Sequence, residues 1–133
     1  IEEILRGLDD LVSSGKILYT GISDTPAWIV SQANTIADFR DRSRFNAMQI
    51  EYSLIERTVE RELLPMAKAN EICVTAWSPL AGGALTGKYL DSNDDSKRLD
   101  EDSARLNSRN RKITEEVVAV AKELGCSAAQ VAI

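Results

Sequence analysis

The chain has 133 residues, 44% of them apolar, which is enough for one small globular domain with a core. A net charge of −5 argues against nucleic acid as a main partner, although a local basic group can still hold a nucleotide. There is no histidine, which removes Ser-His-Asp and Cys-His nucleophile pairs and most zinc sites, and the apolar runs are far too short to span a bilayer.

Ile1, Ile4, Leu5, Leu8, Leu11 and Val12 recur at helical spacing, and Gly15 supplies a stop. Opening directly into this charged amphipathic pattern, the chain shows no signal peptide, so the expected setting is cytoplasmic. Lys16 to Ser23 reads as a first strand. Asp24 or Thr25 is the expected cap of the next helix, with Pro26 at its first position and Ile29, Val30, Ala33, Ile36 and Ala37 on its apolar face. Ala47 to Tyr52 reads as a second strand. Thr58 opens a third helix reaching to about Asn70, which Pro65 should break or kink. Ile72 to Ala76 is a third strand, in which Cys73 should be buried. Cys73 and Cys126 have no metal-ligand spacing and read as two reduced thiols, so no metal is expected.

The loop that leaves this third strand is the richest stretch of the chain: Trp77-Ser78-Pro79-Leu80-Ala81-Gly82-Gly83-Ala84-Leu85-Thr86-Gly87-Lys88-Tyr89. One flat aromatic, several small residues, a hydroxyl and a lysine suit a ligand with a planar ring at one end and phosphates at the other. Gly82 to Lys88 also spells the start of a P-loop, but the next residue should be a Mg²⁺-binding Ser or Thr. It is Tyr89, and the turn-forming residues after it cannot open the required helix. Residues 91–112, dense in charge, should form a long exposed loop. Thr114 then starts a helix that Gly125 ends, and Ser127 with Gln130 forms a capping box for one more.

Strands and helices alternate with a repeat of about 25–28 residues, near the length of one βα unit. The expected fold is therefore α/β, with about three parallel strands and flanking helices, and ligands should gather at the strands' C-terminal ends. Ser23 and Asp24, Gln49 and Tyr52, and Trp77 and Ser78 lie there. Both termini read as cut, so residues 1–133 are expected to form a single partial domain. Its open sheet edges would favour self-association.

Three segments in register resemble the aldo-keto reductases: Gly15 to Ser23, Gln49-Ile50-Glu51-Tyr52-Ser53-Leu54, and Trp77-Ser78-Pro79-Leu80 through Gly87-Lys88-Tyr89. The resemblance covers essentially the whole chain. Its Trp-Ser-Pro-Leu form is similar to the branch with bacterial reductases and potassium-channel β subunits. It implies a partial (β/α)8 TIM barrel, the C-terminal half of an enzyme that reduces a small carbonyl substrate with NADPH. In that family Ser23 and its neighbour would hydrogen-bond the nicotinamide carboxamide, with Gln49 holding the same group. Asp24 stands where Asn or Arg is common. Trp77 would stack on the nicotinamide. Ser78, Pro79, Leu80, Ala81 and Gly82 would line the pyrophosphate, mostly through backbone N–H groups, and Lys88 would meet a phosphate. Arg98 and Arg105 are candidates for the adenosine side. The family's catalytic Asp, Tyr, Lys and His belong to the first half of the barrel, so no catalytic residue is expected among Ile1 to Ile133. The alternative is a catalytically inert half-barrel that binds cofactor or associates with itself. Taken singly, Trp77 could be rim packing, Gln49 a strand residue satisfying a neighbour, and Lys88 a solvated side chain; the surrounding motifs favour the cofactor for Trp77 and Gln49.

Overall fold

A computed structural model describes residues 1–90, 98–100 and 102–133. The order of elements is α1 (Glu2–Ser13), β1 (Thr20–Ser23), α2 (Ala27–Phe39), β2 (Phe45–Glu51), α3 (Leu63–Ala69), β3 (Cys73–Trp77), α4 (Ser108–Leu124) and α5 (Ala128–Ala132), with 3₁₀ turns at Thr58–Glu60, Ala81–Thr86 and Ala104–Leu106. These fall into two compact units, the first comprising 1–50 and 58–77, the second 51–57 and 78–133.

The first unit is an open parallel sheet in the order β1-β2-β3 with helices laid on it, the architecture of a partial (β/α)8 barrel. One sheet face is covered. Met48 and Ile50 of β2 pack with Val30 of α2, Ala67 of α3 and Ile72, and are at most 1% exposed. Each of these side chains except Ala67 contributes about 1.5–3 kcal/mol of burial. Leu5, Ala33, Ala37 and Phe45 form a neighbouring cluster between α1 and α2. Phe45 and Met48 both face helices although they are three apart in a strand. A register shift accounts for this: Thr20 pairs with Phe45 but Gly21 pairs with Ala47, leaving Asn46 as the extra residue of a bulge. The other sheet face, with Ser23, Gln49, Cys73 and Thr75, is exposed. Cys73 is thus an exposed free thiol and not the buried one expected, because a β-branched run reveals a strand but not which face is covered.

Several boundaries differ from those the sequence implies. β1 begins at Thr20, since Leu18 and Tyr19 are 80% and 76% exposed and belong to no strand. The cap of α2 is Pro26 itself; Thr25 instead donates its hydroxyl hydrogen to the Ser23 carbonyl. Pro65 does not break a helix. The chain turns in a short 3₁₀ segment at Thr58–Glu60, and α3 restarts at Leu63, which puts Pro65 in a first turn where no intrahelical N–H bond is required.

In the second unit, Ile55, Ala81, Ala84, Leu85 and Val117 form a core against α4 and α5. Helix α4 starts at Ser108, six residues before Thr114, capped by the Asn107 side chain, which accepts the Asn110 N–H at 2.9 Å. Within the expected 91–112 loop, residues 91–97 and 101 lie outside the described residues; Ala104–Leu106 is a 3₁₀ turn, and 108–112 are helical. The Ser127–Gln130 capping box forms as the sequence implies. No helix among the described residues is long and apolar enough to cross a membrane.

Candidate functional site

The carboxyl ends of three neighbouring strands bring together Ser23, Asp24, Gln49 and Trp77. Ser23 and Gln49 are paired residues of β1 and β2, and the Asp24 N–H donates to the Gln49 carbonyl at 3.1 Å. That bond holds Asp24 at φ 44, a left-handed backbone uncommon for a residue with a side chain. Its carboxylate then accepts the Trp77 indole N–H at 3.2 Å through Oδ1 and the Ser23 hydroxyl at 3.4 Å through Oδ2. Trp77, the last residue of β3, therefore reaches the end of β1. It is half-buried, so part of its ring remains accessible. The Gln49 amide is exposed on the open sheet face and makes no hydrogen bond among the described residues.

The group sets an aromatic ring, a primary amide and a hydroxyl at one end of the sheet. An indole offers a stacking surface. A free primary amide offers a donor and an acceptor to a carboxamide, and a hydroxyl lies beside it. The Asp24–Trp77 bond joins residues 53 positions apart and has no local signature in the sequence.

The remaining candidates lie on the loop that opens the second unit. Ser78 and Ala81 have φ 56 and 52, and Gly82 and Gly83 follow at 69 and 93. Four positive φ values in six residues coil the backbone tightly, and two of them are filled by residues with side chains, a strain that collects at ligand sites. The glycines also permit close approach. A Cβ on Gly82 would lie 2.8 Å from the Leu99 side chain, and one on Gly83 would lie 2.8 Å from Lys88 Cε. Pro79 and Leu80 are half-buried in this coil. Ala81 is buried, and its N–H donates to the Ser78 carbonyl at 2.8 Å, which closes the turn. Lys88 folds its stem over Gly83 and sets its ammonium 5.3 Å from the Tyr89 ring centroid.

No helix opens at Lys88, and the P-loop reading ends there. Tyr89 instead secures the loop. Its hydroxyl accepts the N–H groups of Arg98 and Leu99, both at 2.9 Å, and sits 3.4 Å from the Gly82 carbonyl to which it donates. It ties residues 98–99 down beside the glycine turn. Arg105 is engaged elsewhere, in a 2.6 Å ion pair with Glu51.

The family model "Aldo/keto reductase family" matches residues 1–133, and the chain belongs to that family. It is 34% identical over 94% of its length to the "Aryl-alcohol dehydrogenase [NADP(+)]" of Phanerodontia chrysosporium, covering 34% of that protein. It is 39% identical over 99% of its length to the uncharacterized oxidoreductase YrpG of Bacillus subtilis, covering 40% of it. It is 30% identical over 99% of its length to the norsolorinic acid reductase of Aspergillus flavus, covering 33% of it. The chain thus spans between a third and two fifths of the length of these relatives.

Proposed function

We propose that the chain is the nicotinamide-binding part of an NADPH-dependent aldo-keto reductase, which reduces small carbonyl compounds by hydride transfer. The observation that carries this is the grouping of Trp77, Gln49 and Ser23 at the ends of three adjacent strands on an open sheet face. Bound there, the cofactor would supply the hydride. Trp77 would stack on its ring and set which face reacts. Gln49 and Ser23 would hold the carboxamide and so fix the ring's rotation. The strained loop from Ser78 through Gly82, with Pro79 and Leu80, and the Lys88 ammonium would serve the phosphates. The name of the Phanerodontia chrysosporium relative favours NADP over NAD. Proton transfer to the developing alkoxide would fall to residues outside 1–133, in the other half of the barrel.

The test is to compare the 133-residue chain with a complete barrel that contains it, on a panel of aldehydes and ketones. Carbonyl-dependent oxidation of NADPH by the complete barrel, with binding but no turnover by the chain alone, is expected. No NADPH oxidation by the complete barrel would refute the reading.

Self-association is a second reading, favoured by the exposed lateral strands β1 and β3 and by Leu18 and Tyr19 just before β1. Sedimentation of the chain without ligand would show a dimer; a folded monomer would exclude it.

A further inference from the structure

We propose that Asp24 is a positioning residue for Trp77: its carboxylate fixes the indole plane that receives the nicotinamide and does not itself bind the carboxamide. The inference rests on the cofactor reading above and goes beyond it by giving Asp24 a different role from Ser23 and Gln49.

An indole ring on an exposed sheet edge has a broad, soft χ2 torsion, so its plane is poorly defined unless something holds it. Its one polar handle is Nε1–H, which can only donate. Asp24 Oδ1 takes that hydrogen at 3.2 Å, from a residue at the end of β1, the far side of β2 from Trp77. The anchor is itself held by two hydrogen bonds. Its N–H is bound to the Gln49 carbonyl at 3.1 Å, its φ is 44, and its second carboxylate oxygen accepts the Ser23 hydroxyl at 3.4 Å. Each oxygen thus accepts one hydrogen bond from the protein. The Asp24 side chain could meet a carboxamide only through that group's N–H, and its oxygens already serve Trp77 and Ser23, whereas the exposed Gln49 amide can both donate and accept. The division of labour follows: Gln49 reads the carboxamide, and Asp24 reads Trp77.

The protein has two tryptophans, so an ¹⁵N-labelled sample should give two indole N–H resonances, assigned with Trp28→Phe. In Asp24→Ala, the Trp77 resonance should move upfield and its hydrogen exchange should speed up, with the Trp28 resonance unmoved. Losing one hydrogen-bond anchor of the platform should raise the dissociation constant for NADPH about three- to tenfold. Asp24→Asn keeps an acceptor oxygen and should restore most of both signals. In a Trp77→Ala background, Asp24→Ala should weaken binding no further.

A Trp77 resonance indifferent to Asp24→Ala would overturn the proposal. So would an equal loss of NADPH affinity with and without Trp77, which would mean that Asp24 touches the cofactor directly. If Trp77→Ala alone left affinity unchanged, the cofactor reading of Trp77 would fail. The indole resonance would still report whether Asp24 holds the ring, so the two failures can be told apart.

Discussion

Asn34 is a residue whose loss should damage the candidate site from a distance. It lies on α2 and is 1% exposed. Its Oδ1 accepts the Phe45 N–H at 2.9 Å and its Nδ2 donates to the Phe45 carbonyl at 3.1 Å. One amide thus acts as a partner strand for the first residue of β2 and sets the point from which the strand runs to Gln49. Asn34→Ala strands a buried donor and a buried acceptor, each costing about 1–3 kcal/mol, so a total loss of about 2–6 kcal/mol is expected. That is a large share of a typical stability of about 5–15 kcal/mol. With a urea slope of about 2 kcal/mol per molar, the unfolding midpoint should fall by about 1–3 M. Asn34→Asp keeps the acceptor but, when ionised, turns an oxygen toward the Phe45 carbonyl, so it should be at least as damaging at neutral pH. Equilibrium urea unfolding followed by circular dichroism measures both. A midpoint within about 0.3 M of the wild type for Asn34→Ala would mean that water replaces the amide and that the clamp stabilises nothing.

Gly82→Ala places a Cβ at φ 69, 2.8 Å from the flexible end of the Leu99 side chain. Leu99 can move aside but the backbone strain stays, so about 1–2 kcal/mol should be lost, seen as a Tm lower by roughly 3–8 °C. Arg105→Gln breaks an ion pair whose side chains are about one-third exposed, at 33% and 31%. It should cost no more than about 1 kcal/mol, and the difference in urea midpoint should shrink in high salt. Asp9 accepts the N–H and the hydroxyl hydrogen of Ser43, both at 2.8 Å, and the Ser43 N–H, its hydroxyl and then Arg42 hold its carboxyl below the usual aspartate value. A depressed folded pKa gives stability that is present above the unfolded value of about 3.9 and is lost as pH falls through the folded value. Asp9→Asn should therefore flatten the acid limb of the stability–pH curve below about pH 4, while an unchanged limb would assign it to other carboxylates.

The helix ends at Gly15 and Gly125 are readable because a left-handed residue after a helix is a local requirement. Both glycines have positive φ, and the Lys16 and Cys126 N–H groups close back onto the Leu11 and Ala121 carbonyls. The three strands, with Trp77 at the end of the last, are readable for a similar reason, since β-branched runs and turn residues act over short distances. Pro65 misleads because a proline reads the same in the first turn of a helix as in its middle; only the break at Thr58–Glu60 tells them apart. The start of α4 is hidden because Asn107 caps it from within a charge-dense stretch without an apolar stripe. Asn34 looks like a polar interruption in the apolar face of α2, because its partner comes from the next strand. Asp24 is visible as a departure from the family's pattern, but its partner Trp77 lies 53 positions away. No periodicity connects two residues that meet only across a strand.

The central claim is that Trp77, Gln49 and Ser23 form a nicotinamide cradle. Calorimetric titration of the chain with NADPH, and of Trp77→Ala and Gln49→Ala, tests it without requiring turnover. Saturable binding is expected, weakened about tenfold or more by Trp77→Ala, as suits the loss of a stacking surface, and about threefold or more by Gln49→Ala. NADPH binding of equal strength in all three proteins would contradict the cradle.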